Sequence, residues 1–192
     1  MQNFINHLRN QIDLTDEQIE IILNYITVKK LTRGEMILNA GEFSDDYFFV
    51  ESGVIRSYII DDNGKEHIVQ FGTENWIVSD RNSAMCKQEA KFYIQAIEES
   101  TVVILNDGVN DLITSLNPDY TKKQVPLLQN HIRHMQDRIT SLLSAPAKTR
   151  YQDFIKLYPT ITAKVPQWMI ASYLGITPES LSRVRKDIAS NG

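Results

Sequence analysis

The residues best equipped for chemistry in this chain lie close together, between Thr177 and Lys186. Thr177, Glu179, Ser180, Ser182, Arg183 and Lys186 supply hydroxyls, one carboxylate and two cations. An arginine fork matches O6 and N7 of guanine, and a carboxylate accepts from the amino group of cytosine. Hydroxyls and lysine suit phosphate oxygens. Together these groups could read double-stranded DNA, provided that one helix holds them on one face. Thr177 is a good N-cap, and Pro178 suits the first helical position. Leu181, Val184 and Ile188 form an apolar stripe, with Glu179, Ser182, Arg183 and Lys186 on the other side.

The residues just before supply a partner for that helix. Pro166 is expected at the first position of another helix, in which Ile170, Ala171 and Leu174 face inward. Gly175 then ends it, since a left-handed conformation costs glycine little. Helix, glycine turn and capped, polar-faced helix make up the helix-turn-helix pattern. An amphipathic helix with Arg and Lys outside is also an ordinary solvated face. On this stretch alone both readings stay open.

Charge is unevenly spread. The whole chain carries −4, but from Ala145 onward seven basic residues face three acidic ones, giving +4 there and −8 before it. A basic DNA-reading module joined to an acidic regulatory one would look like this. The single cysteine, Cys86, rules out a Cys-based zinc site or an all-Cys iron–sulfur cluster within these 192 residues. It is expected to be a small half-buried hydrophobe. Met1 to Asn10 hold no apolar signal core, and no run is long enough to span a bilayer, so the expected location is the cytoplasm.

The chain ahead of Ala145 reads as one helix, a series of strands, and more helix. Thr15 and Gln18 form a capping box ahead of Ile19, Ile22, Leu23 and Ile26, and residues before Thr15 add a helical turn or two. From Val28 to Leu105 the period is two. Eight strand-like runs are expected: Val28–Leu31, Glu35–Asn39, Tyr47–Glu51, Val54–Ile60, Glu66–Phe71, Trp76–Val78, Phe92–Ala96 and Val102–Leu105. Asn63-Gly64 signals a hairpin, because both residues tolerate positive φ. Short strands at close spacing indicate a sandwich or jelly-roll barrel, and a small barrel of this kind can hold one small ligand. Asp111–Leu116 is a short helix, ended by Asn117-Pro118.

A longer helix then runs to about Ser144, with Pro126 as a kink or a restart. Val125, Leu128, Ile132, Met135, Ile139 and Leu142 are spaced 3, 4, 3, 4, 3 along it. That narrow a/d seam favours a two-helix, homodimeric contact over packing on the chain's own barrel. Ala145-Pro146-Ala147 is the expected hinge. Thr149–Tyr158 is a further helix with Tyr151, Phe154, Ile155 and Tyr158 on one side. The fold class is therefore α+β: an N-terminal β-roll (double-stranded jelly-roll) over 1–117, a dimerisation helix over 118–144 and a small helix-turn-helix domain over 145–192.

In this order the chain resembles the Crp/Fnr family of bacterial transcription regulators, from about Thr15 to Lys186. The resemblance rests on Ile37-Leu38-Asn39-Ala40-Gly41-Glu42, Phe48-Phe49-Val50-Glu51-Ser52-Gly53-Val54, Asp62-Asn63-Gly64-Lys65-Glu66 and Ile170-Ala171-Ser172-Tyr173-Leu174-Gly175-Ile176-Thr177. It implies an effector β-roll, a dimer helix and a winged helix-turn-helix on a two-fold-related operator. The implied partners are DNA, a second copy and RNA polymerase. It places the base-reading positions at Pro178, Glu179 and Arg183, with Pro178 where the family has an arginine. Thr177, Ser180, Ser182 and Lys186 fall to phosphates. The few residues after Lys186 leave no room for the family's wing, so its backbone contacts are expected to be missing.

The effector positions depart from the family pattern. Cyclic-nucleotide binders of the family carry Gly-Glu for the ribose and Arg-Ser/Thr for the phosphate. Those positions fall on Val78-Ser79, beside Asp80, and on Ala90-Lys91. Ala90 cannot replace arginine at a buried phosphate, and Lys91 points to the other face of a strand. No high-affinity binding of cyclic AMP is expected, and the effector is another small molecule or none. A sensor of the same fold that has lost specific DNA binding is the alternative, favoured by Pro178 and the missing wing.

An enzyme is not expected. A jelly-roll metalloenzyme needs several histidines and a carboxylate in the barrel, and His67 is its only histidine. His7 lies near the N-terminus, and His131 and His134 sit at i, i+3 on the long helix, where ordinary polarity explains them.

Overall fold

The computed structural model describes residues Met1–Ser190. Two short helices lead in, α1 (Gln2–Arg9) and α2 (Asp16–Tyr25). The Thr15 hydroxyl accepts the Gln18 N–H at 3.2 Å, and the Gln18 side chain accepts the Thr15 N–H at 3.0 Å. The expected capping box is therefore closed in both directions. The start of α1 is covered from elsewhere in the chain. The buried Glu51 carboxylate accepts the N–H groups of Asn3 and Phe4, at 3.1 and 2.9 Å. An acidic group at a helix N-terminus meets both the free donors and the helix dipole.

Each of the eight strand-like runs forms a strand: β1 (Thr27–Leu31), β2 (Met36–Leu38), β3 (Tyr47–Ser52), β4 (Ile55–Ile60), β5 (Glu66–Gly72), β6 (Ile77–Val78), β7 (Tyr93–Ala96) and β8 (Ser100–Leu105). They make two four-stranded sheets, ordered β1-β8-β3-β6 and β2-β7-β4-β5. The pairing of β1 and β3 with β8, and of β2 and β4 with β7, is antiparallel. This is the sandwich that the alternation predicted. Strand β3 shows how it holds together. Phe48 and Val50 enter a core with Leu38, Ile55, Ile94 and Val102, while Phe49 enters another with Phe4, Ile22, Val103 and Ile113. Successive side chains of a strand point to opposite faces, so β3 reads as a continuous apolar run because both faces are buried.

The hairpin at Asn63-Gly64 forms, but only Gly64 has positive φ, +78°. Asp61 organises the loop instead, its Oδ1 accepting the N–H groups of Asn63 and Lys65 at 2.9 and 3.0 Å. Helix α3 (Arg81–Cys86) had no counterpart in the periodicity. It is six residues long, and Asp80 at its N-cap creates it. Cys86 at its end is exposed, which corrects the expectation of a half-buried thiol. α3 is too short to present a buried face there.

Helix α4 (Asp107–Leu116) starts four residues earlier than Asp111, because Asn106 caps it by accepting the Val109 N–H at 3.1 Å. Helix α5 (Asp119–Ser144) runs through Pro126 as one element. After Ala145-Pro146 come α6 (Ala147–Leu157), the single turn α7 (Ile161–Lys164), α8 (Gln167–Leu174) and α9 (Pro178–Ser190). Pro166, expected as the first residue of α8, is its N-cap.

Two compact units are present. One comprises Met1–Ile59 with Gln70–Gln129, and the other Ile60–Val69 with Asn130 onward. The division falls within α5, and the Ala145-Pro146-Ala147 junction lies inside the second unit. The second unit has its own core, in which Tyr151, Phe154, Tyr158, Ile161, Ile170, Tyr173, Leu174 and Leu181 are buried. Rings of Phe154, Tyr158 and Tyr173 meet at 5.3 to 5.8 Å. These are the tilted and edge-on contacts that aromatic quadrupoles favour.

Candidate DNA interface and effector positions

The helix-turn-helix forms as its capping residues dictate. At the end of α8, Gly175 takes φ +64°, and the Ile176 N–H reaches the Ala171 carbonyl at 3.0 Å. This closes the last turn of α8, and any side chain at position 175 would be strained. Two residues on, the Thr177 hydroxyl accepts the Ser180 N–H at 3.2 Å and starts α9. Leu181 is buried, and Val184 and Ile188 are half-buried. The apolar stripe therefore faces the unit's own core.

The opposite face carries the groups expected to read DNA. Thr177, Pro178, Glu179, Ser182, Arg183 and Lys186 are exposed, and Ser180 is half-buried. The side chains of Arg183 and Lys186 make no hydrogen bond among the described residues. Arg185, between them, is held by Gln167, its guanidinium donating to Oε1 at 2.5 Å. Lys148 of α6 meets Asp187 at 2.6 Å and pins the far half of α9. The carboxyl of Glu179 is held below the usual carboxylate range by its own N–H, then by the Thr177 hydroxyl, with Arg183 one turn on adding to this. It is an ionised acceptor in a row of donors. The wing expected to be missing would follow Ser190 and lies outside the described residues.

The effector positions come together in the β-roll but fit a cyclic phosphate poorly. Val78, Asp80 and Ala90 are buried, Ser79 is half-buried, and Lys91 is exposed. Asp80 Oδ2 accepts the N–H groups of Lys91 and Phe92 at 2.7 and 2.8 Å. Its Oδ1 accepts those of Asn82 and Ser83 at 2.9 and 3.1 Å. Backbone donors that could cradle an anion are thus turned onto the chain's own carboxylate. A buried carboxylate repels a phosphate, and Ala90 offers no donor beside it.

The apolar seam of α5 lies open. Val125, Leu128, Ile132, Ile139 and Leu142 are 37–57% exposed, and Met135 is half-buried.

The profile of the cyclic nucleotide-binding domain matches residues 28–114. Electron transport regulator A of Shewanella oneidensis is 26% identical over 91% of this chain and 71% of that protein. The fumarate and nitrate reduction regulatory protein of Escherichia coli is 25% identical over 94% of this chain and 76% of its own length. Regulators of the Crp/Fnr type are thus among the homologues of this chain. The fold agrees: FixK2 from Bradyrhizobium japonicum superposes with a TM-score of 0.71 at 19% identity, over 87% of this chain and 86% of that one. Crp/Fnr-type homologues of this chain are regulators rather than enzymes. Among the described residues, no helix is long and apolar enough to cross a membrane.

Some residues that organise this region were not legible in the sequence. Ser172 of α8 accepts the Ile68 N–H at 2.9 Å. Arg138 stacks on the Tyr173 ring at 3.6 Å and donates to the Ile68 carbonyl at 3.3 Å. Neither has a local signal, because both partners are distant in sequence.

Proposed function

We propose that this chain is a dimeric transcription regulator of the cytoplasm that binds a two-fold-related operator through α9. The observation that carries the reading is the exposed row Glu179, Ser182, Arg183 and Lys186 on a helix whose other side turns Leu181, Val184 and Ile188 inward. Glu179 and Arg183 read base edges, while Thr177, Ser180, Ser182 and Lys186 hold phosphates. Pro178 fixes the start of the helix and contributes shape. Two copies pair along Val125, Leu128, Ile132, Met135, Ile139 and Leu142. That pairing sets two α9 helices about 34 Å apart, one turn of DNA. RNA polymerase is the partner at promoters.

Control falls to a small molecule other than cyclic AMP. The Asp80 arrangement and the Ala90 position support this exclusion. Calorimetry with cyclic AMP and cyclic GMP tests it, and micromolar binding of either would overturn it.

The test of DNA binding is a mobility-shift assay with promoter fragments from the source genome across salt concentrations. Binding should weaken steeply as salt rises, because counterions are displaced from the duplex. No shift on any fragment would favour a sensor of the same fold that has lost specific DNA binding, a reading that Pro178 supports.

A further inference from the structure

The start of α8 and one flank of α9 leave an open notch of about 360 Å³ between them. Gln167, Pro178, Leu181, Ser182, Arg185 and Lys186 line it. Leu181 is buried, Gln167 is half-buried, and the other four are exposed. Pro178, Ser182 and Arg185 follow one another at helical spacing, so they form a stripe beside the row of Glu179, Arg183 and Lys186. Lys186 stands where stripe and row adjoin.

The notch is chemically one-sided. Its polar groups are an amide, a hydroxyl and two cations, and among the described residues no carboxylate lines it. The carboxylates of α9 are engaged elsewhere, Asp187 with Lys148 at 2.6 Å and Glu179 with its own N–H and the Thr177 hydroxyl. Gln167 Oε1 accepts from one terminal nitrogen of Arg185 at 2.5 Å. The other N–H groups of that guanidinium make no hydrogen bond among the described residues, and neither does the Ser182 hydroxyl. Gln167 thus tethers an arginine whose remaining donors are unspent. Holding the fork in advance lowers the entropy it loses on closing over an anion.

We infer that Gln167, Ser182 and Arg185 clamp one phosphate of the DNA backbone beside the bases that Glu179 and Arg183 read. Arg185 gives charge-assisted hydrogen bonds to the phosphate oxygens, and the Ser182 hydroxyl adds another. Gln167 positions Arg185, and Lys186 contributes charge at the edge. A backbone phosphate suits the notch better than a free anion, because the notch is open and adjoins the reading row. In a helix-turn-helix the first helix crosses the backbone while the second enters the groove, and the notch lies where the two meet. The clamp rests on the DNA-binding reading and adds Gln167 and Arg185 to it.

The test uses a promoter fragment that the parent chain shifts, titrated across salt concentrations. Arg185→Ala should weaken all sequences alike, about tenfold, and reduce the salt slope by about one. Arg185→Lys keeps the charge and loses the fork, so it should restore the slope and only part of the affinity. Gln167→Glu sets a carboxylate on the guanidinium and should weaken binding as Arg185→Ala does, whereas Gln167→Ala should cost less. Melting temperatures should stay at the parent value, since position 185 is exposed. Equal affinity and slope for the parent chain and Arg185→Ala would overturn the clamp alone. A loss confined to one base position would make Arg185 a base reader and overturn it too. A parent chain that shifts no fragment would overturn the DNA reading, and the clamp with it. Calorimetry with inorganic phosphate tests the other source and should show no binding up to about 1 mM. Tighter binding, lost in Arg185→Ala, would give the notch to a free anion and overturn the clamp.

Discussion

Ser172 of α8 accepts the Ile68 N–H of the β4–β5 hairpin at 2.9 Å, and its own hydroxyl donates to the Glu66 carbonyl at 3.3 Å. One hydroxyl thus does for β5 what a neighbouring strand would do, satisfying a donor and an acceptor. The hairpin tip and the helix-turn-helix belong to the same compact unit. Ser172→Ala should therefore cost about 1 kcal/mol of that unit's stability, the net worth of an ordinary hydrogen bond. Amide exchange at Ile68 should rise selectively, because that N–H loses its acceptor. Exchange unchanged at Ile68 would show that the hairpin does not depend on this contact.

Asp80 plays a similar part in the β-roll, with four backbone donors on one buried carboxylate. Asp80→Asn turns one oxygen into a donor and sets it against two N–H groups. A loss of about 3 kcal/mol follows from two charge-assisted bonds. Urea unfolding of the variant checks this. A midpoint equal to that of the parent chain would mean that the four contacts contribute little.

These two residues also show where sequence reading reaches its limit. The eight strands, the capping box and the helix-turn-helix were legible because each follows from neighbours: alternation for β1 to β8, Thr15 with Gln18, Gly175 with Thr177-Pro178. Ser172 and Asp80 were not, because their partners lie elsewhere in the fold. Asp80 bonds residues 11 and 12 positions away, and Ser172 bonds one 104 away. Helix α3 was missed for a different reason: its Asp80 cap is local, but no apolar stripe marks so short a helix. The reading of α9 succeeded because its polar and apolar faces are set by local spacing alone. Arg185 carried no signal beyond its charge: only the fold brings Gln167, 18 positions away, onto its guanidinium.

The open face of α5 predicts the oligomeric state. Ile132 and Ile139 are 49% and 57% exposed in the single chain, so charges there should leave the fold intact. Burying each isoleucine in a dimer is worth about 1.5 kcal/mol at least. Ile132→Glu with Ile139→Glu should then raise the dimer Kd about a hundredfold or more. Sedimentation equilibrium would show a folded monomer. A dimer unaffected by both changes would place the contact elsewhere.

Two histidines set the acid limb of stability. Burial lowers the pKa of His7, which lies against the Phe49 ring at 5.0 Å, and that of His134 on α5. A base whose folded pKa lies below its unfolded value binds fewer protons folded than unfolded. Stability should therefore be full above the unfolded value of 6.5 and decline as pH falls below it, toward the folded values. Melting temperatures measured from pH 8 to 5 should fall, and His7→Gln should flatten part of that decline. A curve that is level across this range would rule out burial of neutral imidazoles as a stabilising element.

Arg183 and Lys186 sit one turn apart on the open face of α9 and should fail differently. A guanidinium on guanine reads a base edge, so Arg183→Ala should cost about 1–3 kcal/mol on the cognate operator and relax specificity at one position. A lysine on phosphate carries no sequence information. Lys186→Ala should weaken all fragments alike and reduce the salt slope by about one. Glu179, held ionised by its own N–H and the Thr177 hydroxyl, makes a third contrast. Removing its carboxylate deletes an acceptor for the cytosine amino group, and Glu179→Gln keeps a carbonyl oxygen there. Glu179→Ala should therefore lose discrimination that Glu179→Gln partly keeps. Competition binding with single-base operator variants separates the three. Equal losses on every sequence for all three would mean that α9 only grips the backbone and reads no bases.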